Sequence, residues 1–140
     1  MTNLSKIEDT STIDAIRQVA LDYADGWYTG NAERMVRACH DSLVKRTLVR
    51  TEDSAGWTTG PVSTKAAMVG WTEEGGGRAW PSELKYEVEV VDVFRDIAMV
   101  RCGSPEYVDY LQLAHFGDVG WKIVNVLWQL KEGDFDPSSA

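Results

Sequence analysis

The chain has 140 residues, 44% of them hydrophobic, and 14 basic against 22 acidic side chains give a formal charge of −8. That length supports one compact domain with a core of its own and leaves no room for a second. The negative balance sets nucleic acid and anionic membrane surfaces aside as partners, because a polyanion is repelled at long range.

Residues 11–29 place Ile13, Ile16, Val19, Ala20, Tyr23 and Trp27 at spacings of three, four and seven, the stripe of an amphipathic helix. Ser11 is expected to cap its start and Gly30 to end it. Asn31 then caps a shorter helix with Met35, Val36 and Cys39 on its apolar side. Between them "TGN" leaves almost no loop, so the two helices turn sharply into each other. The run "LVKRTLVRT", residues 43–51, reads as a strand with one wet face. Turn residues in "EDSAGWTTGPVS" leave room for a hairpin or short strand around Trp57. Ser63 is expected to cap a third helix through Ala67, Met68 and Trp71, which "GGG" at 75–77 stops.

The remainder reads as strand. Leu84, Tyr86, Val88 and Val90 alternate with Lys85, Glu87 and Glu89, burying one face. "IAMVRC", "YVDYLQLAHF" and "WKIVNVLWQL" follow, joined by short turns, so four successive strands form an antiparallel meander. Residues 131–140, "KEGDFDPSSA", lack periodicity and are expected to be a frayed tail beyond a single domain at 1–130. The fold class is therefore α+β, with three N-terminal helices packed on a curved sheet. The last two strands carry apolar residues on both faces, and a second copy of the chain is the economical cover for the outer one, which predicts a homodimer through the sheet.

Asp109, between Val108 and Tyr110, is the sharpest chemical signal. Alternation puts Tyr107, Asp109, Leu111 and Leu113 on one face, where an ionised carboxylate must take a proton, find a cation or collect hydrogen bonds. One reading aims it into a ligand pocket; the other pairs it with Arg46 or Arg101 across neighbouring strands. Lys45, Arg46 and Arg50 are read as a solvated or ion-paired face. Tyr23 offers a phenol on the buried helix stripe, and Trp27 lies one turn later on the same side. Six tryptophans suit a pocket for a flat ring. Trp27, Trp57, Trp71 and Trp128 are placed nearest to it, Met68 and Met99 as adaptable filler, and Asn125 as a mid-strand amide that needs partners.

The stretches "YADGWYTGNAERMVRACHDSLVKRTLVR" and "YVDYLQLAHFGDVGWKIVNVLWQL" resemble the nuclear transport factor 2-like (NTF2-like) proteins of the group known as "putative lumazine-binding", relatives of the polyketide-cyclase-like and ketosteroid isomerase proteins. The resemblance spans residues 10–130 and implies a cone-shaped α+β fold with a deep pocket between helices and sheet. It also implies that Tyr23 matches the oxyanion-binding tyrosine of ketosteroid isomerase and Asp109 the protonated second donor. The general base has no counterpart: its position falls near Thr47. His40, at the end of the second helix, is the first replacement, since imidazole titrates near neutrality; the alternative is a cation at a helix C-terminus.

No apolar run reaches the roughly 18–20 residues of a membrane helix, and the first residues lack a basic start and an apolar stretch, so a cytoplasmic location is expected. Cys39 and Cys102 have no metal or disulfide spacing and read as reduced core thiols; no metal and no cofactor are expected. Three functional readings remain open. The chain is a pocket protein for a small hydrophobic or heteroaromatic ligand, acting if an enzyme by proton transfer next to a carbonyl (isomerisation, cyclisation or dehydration). Alternatively it is a non-catalytic binder of a lumazine- or flavin-like heterocycle. The third reading is a scaffold dimer whose pocket is vestigial.

Overall fold

A computed structural model of the protein describes residues 9–77 and 83–137. The elements run α1 (Thr10–Thr29), α2 (Ala32–Ala38), β1 (Cys39–Arg50), β2 (Trp57–Thr59), α3 (Lys65–Glu73), β3 (Glu87–Phe94), β4 (Ile97–Gly103), β5 (Tyr107–His115) and β6 (Trp121–Leu130). A short 3-10 turn, Gly117–Val119, links the last two strands. The six strands form one sheet in the order β2-β1-β6-β5-β4-β3. The meander β3–β6 is antiparallel throughout. β1 lies parallel to β6, a pairing the chain order did not suggest.

The caps differ from expectation by one or two residues. Asp9, not Ser11, caps α1, its carboxylate accepting from the backbone N–H of Ser11 and Thr12. Thr64, not Ser63, caps α3 by accepting from Ala67 N–H at 3.2 Å. Asn31 caps α2 as expected, and Gly30 closes α1 in the left-handed conformation at φ 69°.

The sharp α1–α2 turn is held by charge. Buried Asp22 accepts from Arg34 Nε at 3.0 Å, from Arg37 Nε at 3.1 Å and from Gln18 Nε2 at 3.1 Å. Asp25 pairs with Arg34 and accepts from the Tyr86 hydroxyl at 2.7 Å, which ties the same turn to the chain entering β3.

All three helices contact the sheet on the side where Val100, Leu111, Leu113, Ile123 and Val126 are buried. Ile16, Ala20 and Tyr23 from α1, Met35 and Ala38 from α2 and Met68 from α3 fill the opposing layer. Strand alternation accounts for this. In β5, Asp109, Leu111 and Leu113 are buried while Tyr110 and Gln112 between them are exposed. The predicted tail is docked in part: Phe135 meets the Trp128 ring edge-on at 5.1 Å and Asp134 pairs with Arg50 at 3.1 Å. Among the described residues, no helix is long and apolar enough to cross a membrane.

Candidate functional site

The buried carboxylate of β5 has found a cation, though not either arginine weighed from the sequence. Asp109 is 5% exposed, and its Oδ2 accepts from the Tyr23 hydroxyl at 2.6 Å. The Tyr23 oxygen in turn accepts from Lys45 Nζ at 2.6 Å. Lys45, Tyr23 and Asp109 thus form one continuous hydrogen-bond chain linking β1, α1 and β5. Lys45 reaches inward because it shares the strand face of Leu43 and Thr47, both buried, whereas Arg46 falls on the exposed phase. Its ammonium also lies 5.0 Å from the Tyr23 ring centre and 5.5 Å from that of Trp128, within cation–π range of both.

Burial acts on the two ends of this chain in opposite directions. It pushes the Asp109 carboxyl above its ordinary pKa, with the Lys45 charge and the Tyr23 hydrogen bond pulling partly back. Burial likewise lowers the Lys45 pKa, only partly offset by the Asp109 charge, even though the residue as a whole keeps some accessible surface. For Tyr23, burial and then the neighbouring Asp109 charge raise the phenol well above its usual value, so it stays a neutral hydroxyl. The ends of the chain are therefore each drawn toward the uncharged form.

These three residues line a cavity of about 30 Å3 between helices and sheet. Ala24, Trp27 and Tyr28 of α1 and Met68 of α3 form its helical wall; Cys102, Ser104 and Tyr107 complete the strand side. That space holds about two water-sized groups, so a ring-sized ligand enters only if the walls move. Tyr28 braces the rim: its hydroxyl lies 3.3 Å from Ser104 Oγ and accepts from Glu106 N–H at 3.1 Å.

Of the sequence-derived site residues, Tyr23, Trp27, Met68, Tyr107 and Asp109 line this cavity. Trp128 stands beside it, edge-on to Tyr107 at 5.1 Å. The others are elsewhere. His40 is in β1, because α2 ends at Ala38; its Nδ1 is 2.7 Å from Ser42 Oγ and its ring stacks on Phe116 at 4.0 Å. Trp57 is 41% exposed on the sheet edge, with the Arg50 guanidinium 3.8 Å over its ring. Trp71 is exposed on α3, since the buried phase of that helix runs through Met68 and Thr72. Met99 and Asn125 point to the outer face of the sheet, between residues of the buried phase, and Asn125 donates to Gln112 Oε1 at 3.1 Å. Lys45 is the charged cavity residue that sequence reading missed. Among the described residues, no group of three or more His, Cys, Asp or Glu side chains could hold a metal ion.

The model of the family described as "Putative lumazine-binding" matches residues 11–129. The chain belongs to this family. Its fold is that of the NTF2-like superfamily. An NTF2-like protein of unknown function from Silicibacter pomeroyi DSS-3 superposes with a TM-score of 0.66 at 16% identity, covering 87% of this chain and 98% of that one. One from Shewanella baltica OS155 gives 0.67 at 17% identity, covering 89% and 98%. A ketosteroid isomerase-like protein from Erwinia carotovora atroseptica SCRI1043 gives 0.62 at 15%, covering 89% and 99%. At these identities the likeness is one of fold. No curated protein matches the chain.

The glycine run after α3 fixes Trp27, one wall of the cavity. A Cβ on Gly76 would lie 2.5 Å from Cη2 of Trp27, and one on Gly77 would lie 2.6 Å from the Trp27 carbonyl oxygen. The indole is packed flush against backbone that carries no side chains. Gly77→Ala is expected to push Trp27 out of place and cost about 1–3 kcal/mol, seen as a lower urea midpoint together with a shift in tryptophan emission.

Proposed function

We propose that the protein binds a small organic ligand through an oxygen atom held by Lys45 and Tyr23, and that it moves a proton next to a ligand carbonyl. The observation that carries this reading is the buried Lys45–Tyr23–Asp109 chain at the wall of a cavity, where apolar residues of similar size would be no less stable. The Lys45 ammonium suits an oxyanion that develops during enolisation, joined by the Tyr23 hydroxyl once Asp109 takes up a proton and releases it. Asp109, whose pKa burial raises, suits the general base, because a carboxylate with a raised pKa is the stronger base. His40 has no part in this scheme, since it lies away from the chain.

Trp27 and Trp128 flank the site, so ligand entry is expected to quench tryptophan fluorescence. Titration with lumazine, flavins and cyclic ketones tests the reading. Wild type should be quenched by at least one class, and Asp109→Asn should weaken that response about tenfold, the loss of one charge-assisted hydrogen bond. Equal affinities and equal turnover in the two proteins would remove Asp109 from the site.

A second reading, a non-catalytic heterocycle binder, is favoured by the family description and by the aromatic corner of Tyr107 and Trp128; quenching without product formation would select it. Either reading goes with a homodimer through the outer sheet face, where Tyr110 is 52% and Leu127 50% exposed on neighbouring strands beside Met99. Tyr110→Glu is expected to turn a dimer into a monomer in sedimentation at micromolar concentration, and a monomeric wild type would end the dimer reading. A cytoplasmic location fits two free, buried thiols.

A further inference from the structure

Three potential nucleophiles line the cavity: Lys45, Cys102 and Ser104. Burial pushes the Cys102 thiol up to about 12, so its thiolate is scarce at neutral pH. Ser104 is hydrogen-bonded to Tyr28, a phenol rather than a base that could activate it. Lys45 differs from both, because its Nζ sits 2.6 Å from a hydroxyl that itself sits 2.6 Å from a carboxylate. It differs equally from the other lysines among the described residues: Lys65 is paired with Asp41, Lys85 with Glu83, Lys131 with Glu87, and Lys122 donates to the Arg37 carbonyl.

We propose that Lys45 captures carbonyl compounds covalently, its Nζ forming an imine with a small aldehyde or unhindered ketone while Tyr23 and Asp109 move the protons. The inference rests on the reading of the cavity as a site for an oxygen-bearing ligand. The hydrogen-bond chain already supplies the first step. Lys45 passes a proton to the Tyr23 oxygen as Tyr23 passes its own to Asp109, which leaves a neutral amine, a neutral phenol and a protonated acid with no change in net charge. Burial favours this distribution at both ends, in the manner of other desolvated lysine nucleophiles.

The amine lone pair then attacks the carbonyl carbon, a C–N bond forms, and the carbonyl π bond opens onto oxygen. That oxygen takes one proton back through Tyr23 from Asp109 and a second from the nitrogen. The C–O bond breaks and the oxygen leaves as water, carrying one hydrogen from the amine and the one from Asp109, so the nitrogen keeps its other hydrogen as a protonated imine and no oxidant or reductant is consumed. Asp109, ionised again, is then placed to accept a proton from the carbon next to the new C=N bond. The cavity's volume of about 30 Å3 limits the captured end to roughly a carbonyl with its adjacent carbon.

Trapping tests this directly. Wild-type protein is incubated at neutral pH with acetaldehyde, acetone or pyruvate and sodium cyanoborohydride, and its peptides are mapped by mass spectrometry. A reduced alkyl adduct is expected on Lys45 under conditions that leave Lys65, Lys85, Lys122 and Lys131 unmodified, and Tyr23→Phe should slow labelling of Lys45 alone. Lys45→Arg, which retains a cation, should lose the adduct while its circular dichroism stays native. Adducts confined to the exposed lysines, on protein shown to be folded, would overturn imine formation. If quenching by ligand still depends on Asp109 in that case, binding at the cavity stands and only the covalent step falls; if it does not, both fall.

Discussion

Replacing Lys45 with Met is expected to destabilise the fold by about 1–3 kcal/mol, because it removes one end of a buried hydrogen-bond chain and leaves the Tyr23 oxygen without its donor. Asp109 then keeps only the Tyr23 hydroxyl as partner and must take a proton to remain inside. Asp109→Leu alone should cost a similar amount, because it strands the Lys45 ammonium beside a phenol. The informative protein is the triple variant Lys45→Met, Tyr23→Phe, Asp109→Leu, which turns the whole chain apolar. Hydrophobic replacement of a complete buried polar set is often neutral or stabilising by about 1–4 kcal/mol, and these three replacements add no non-hydrogen atom to the interior. Urea unfolding should therefore place the triple variant near wild type and well above either single one. Such a recovery would mean that these residues are not there for stability, which leaves the chemistry of the cavity as their purpose. A triple variant as unstable as Lys45→Met would instead make the chain a structural clamp.

Asp109 was legible in the sequence because period-two alternation is strict across "YVDYLQL", and a charge on the buried phase stands out against Leu111 and Leu113. Tyr23 was legible for the same reason at helical period. Lys45 was not. It sits beside Arg46 in a basic run, and one of two adjacent charges on a strand must face each way, so the pair reads as a wet edge whichever is buried. Choosing between them needs the phase of β1, and that phase is interrupted: pairing with β6 shifts register between Cys39 and Val44. The same early start of β1, at Cys39, carried His40 away from the helix end and the pocket. Trp57, Trp71 and Met99 were placed by composition and spacing near a pocket none of them reaches. An aromatic side chain satisfies a helix stripe, a sheet edge or a cavity wall equally well, and only tertiary packing decides. The meander was legible because its strands are adjacent in sequence; the parallel β1–β6 pairing joins segments about 80 residues apart and leaves no local mark.

The second buried aspartate should behave in the opposite way, and the contrast can be measured. At Asp22, burial alone would raise the carboxyl, but hydrogen bonds from Arg37, Arg34 and Gln18 together outweigh it and hold the group below its ordinary value. Such a group adds stability that is fully present above its unfolded pKa of about 3.9 and is lost as pH falls through its lower folded value. Asp109, with its folded pKa raised, has the reverse sign: between the unfolded and folded values the native state holds the extra proton, so acidification through that window favours folding at this site. Acid unfolding should therefore begin at the α1–α2 turn and not at the cavity. Asp22→Ala is expected to cost about 3 kcal/mol at neutral pH, the low end for a broken buried pair, because Arg37 is largely exposed already and can turn to water. The deficit should shrink as both proteins are acidified below the unfolded carboxylate range, where the wild-type group also loses its charge. Urea midpoints for wild type and Asp22→Ala from neutral pH down to acid should converge. Parallel curves would show that Asp22 holds the turn through packing alone, with its charge contributing nothing.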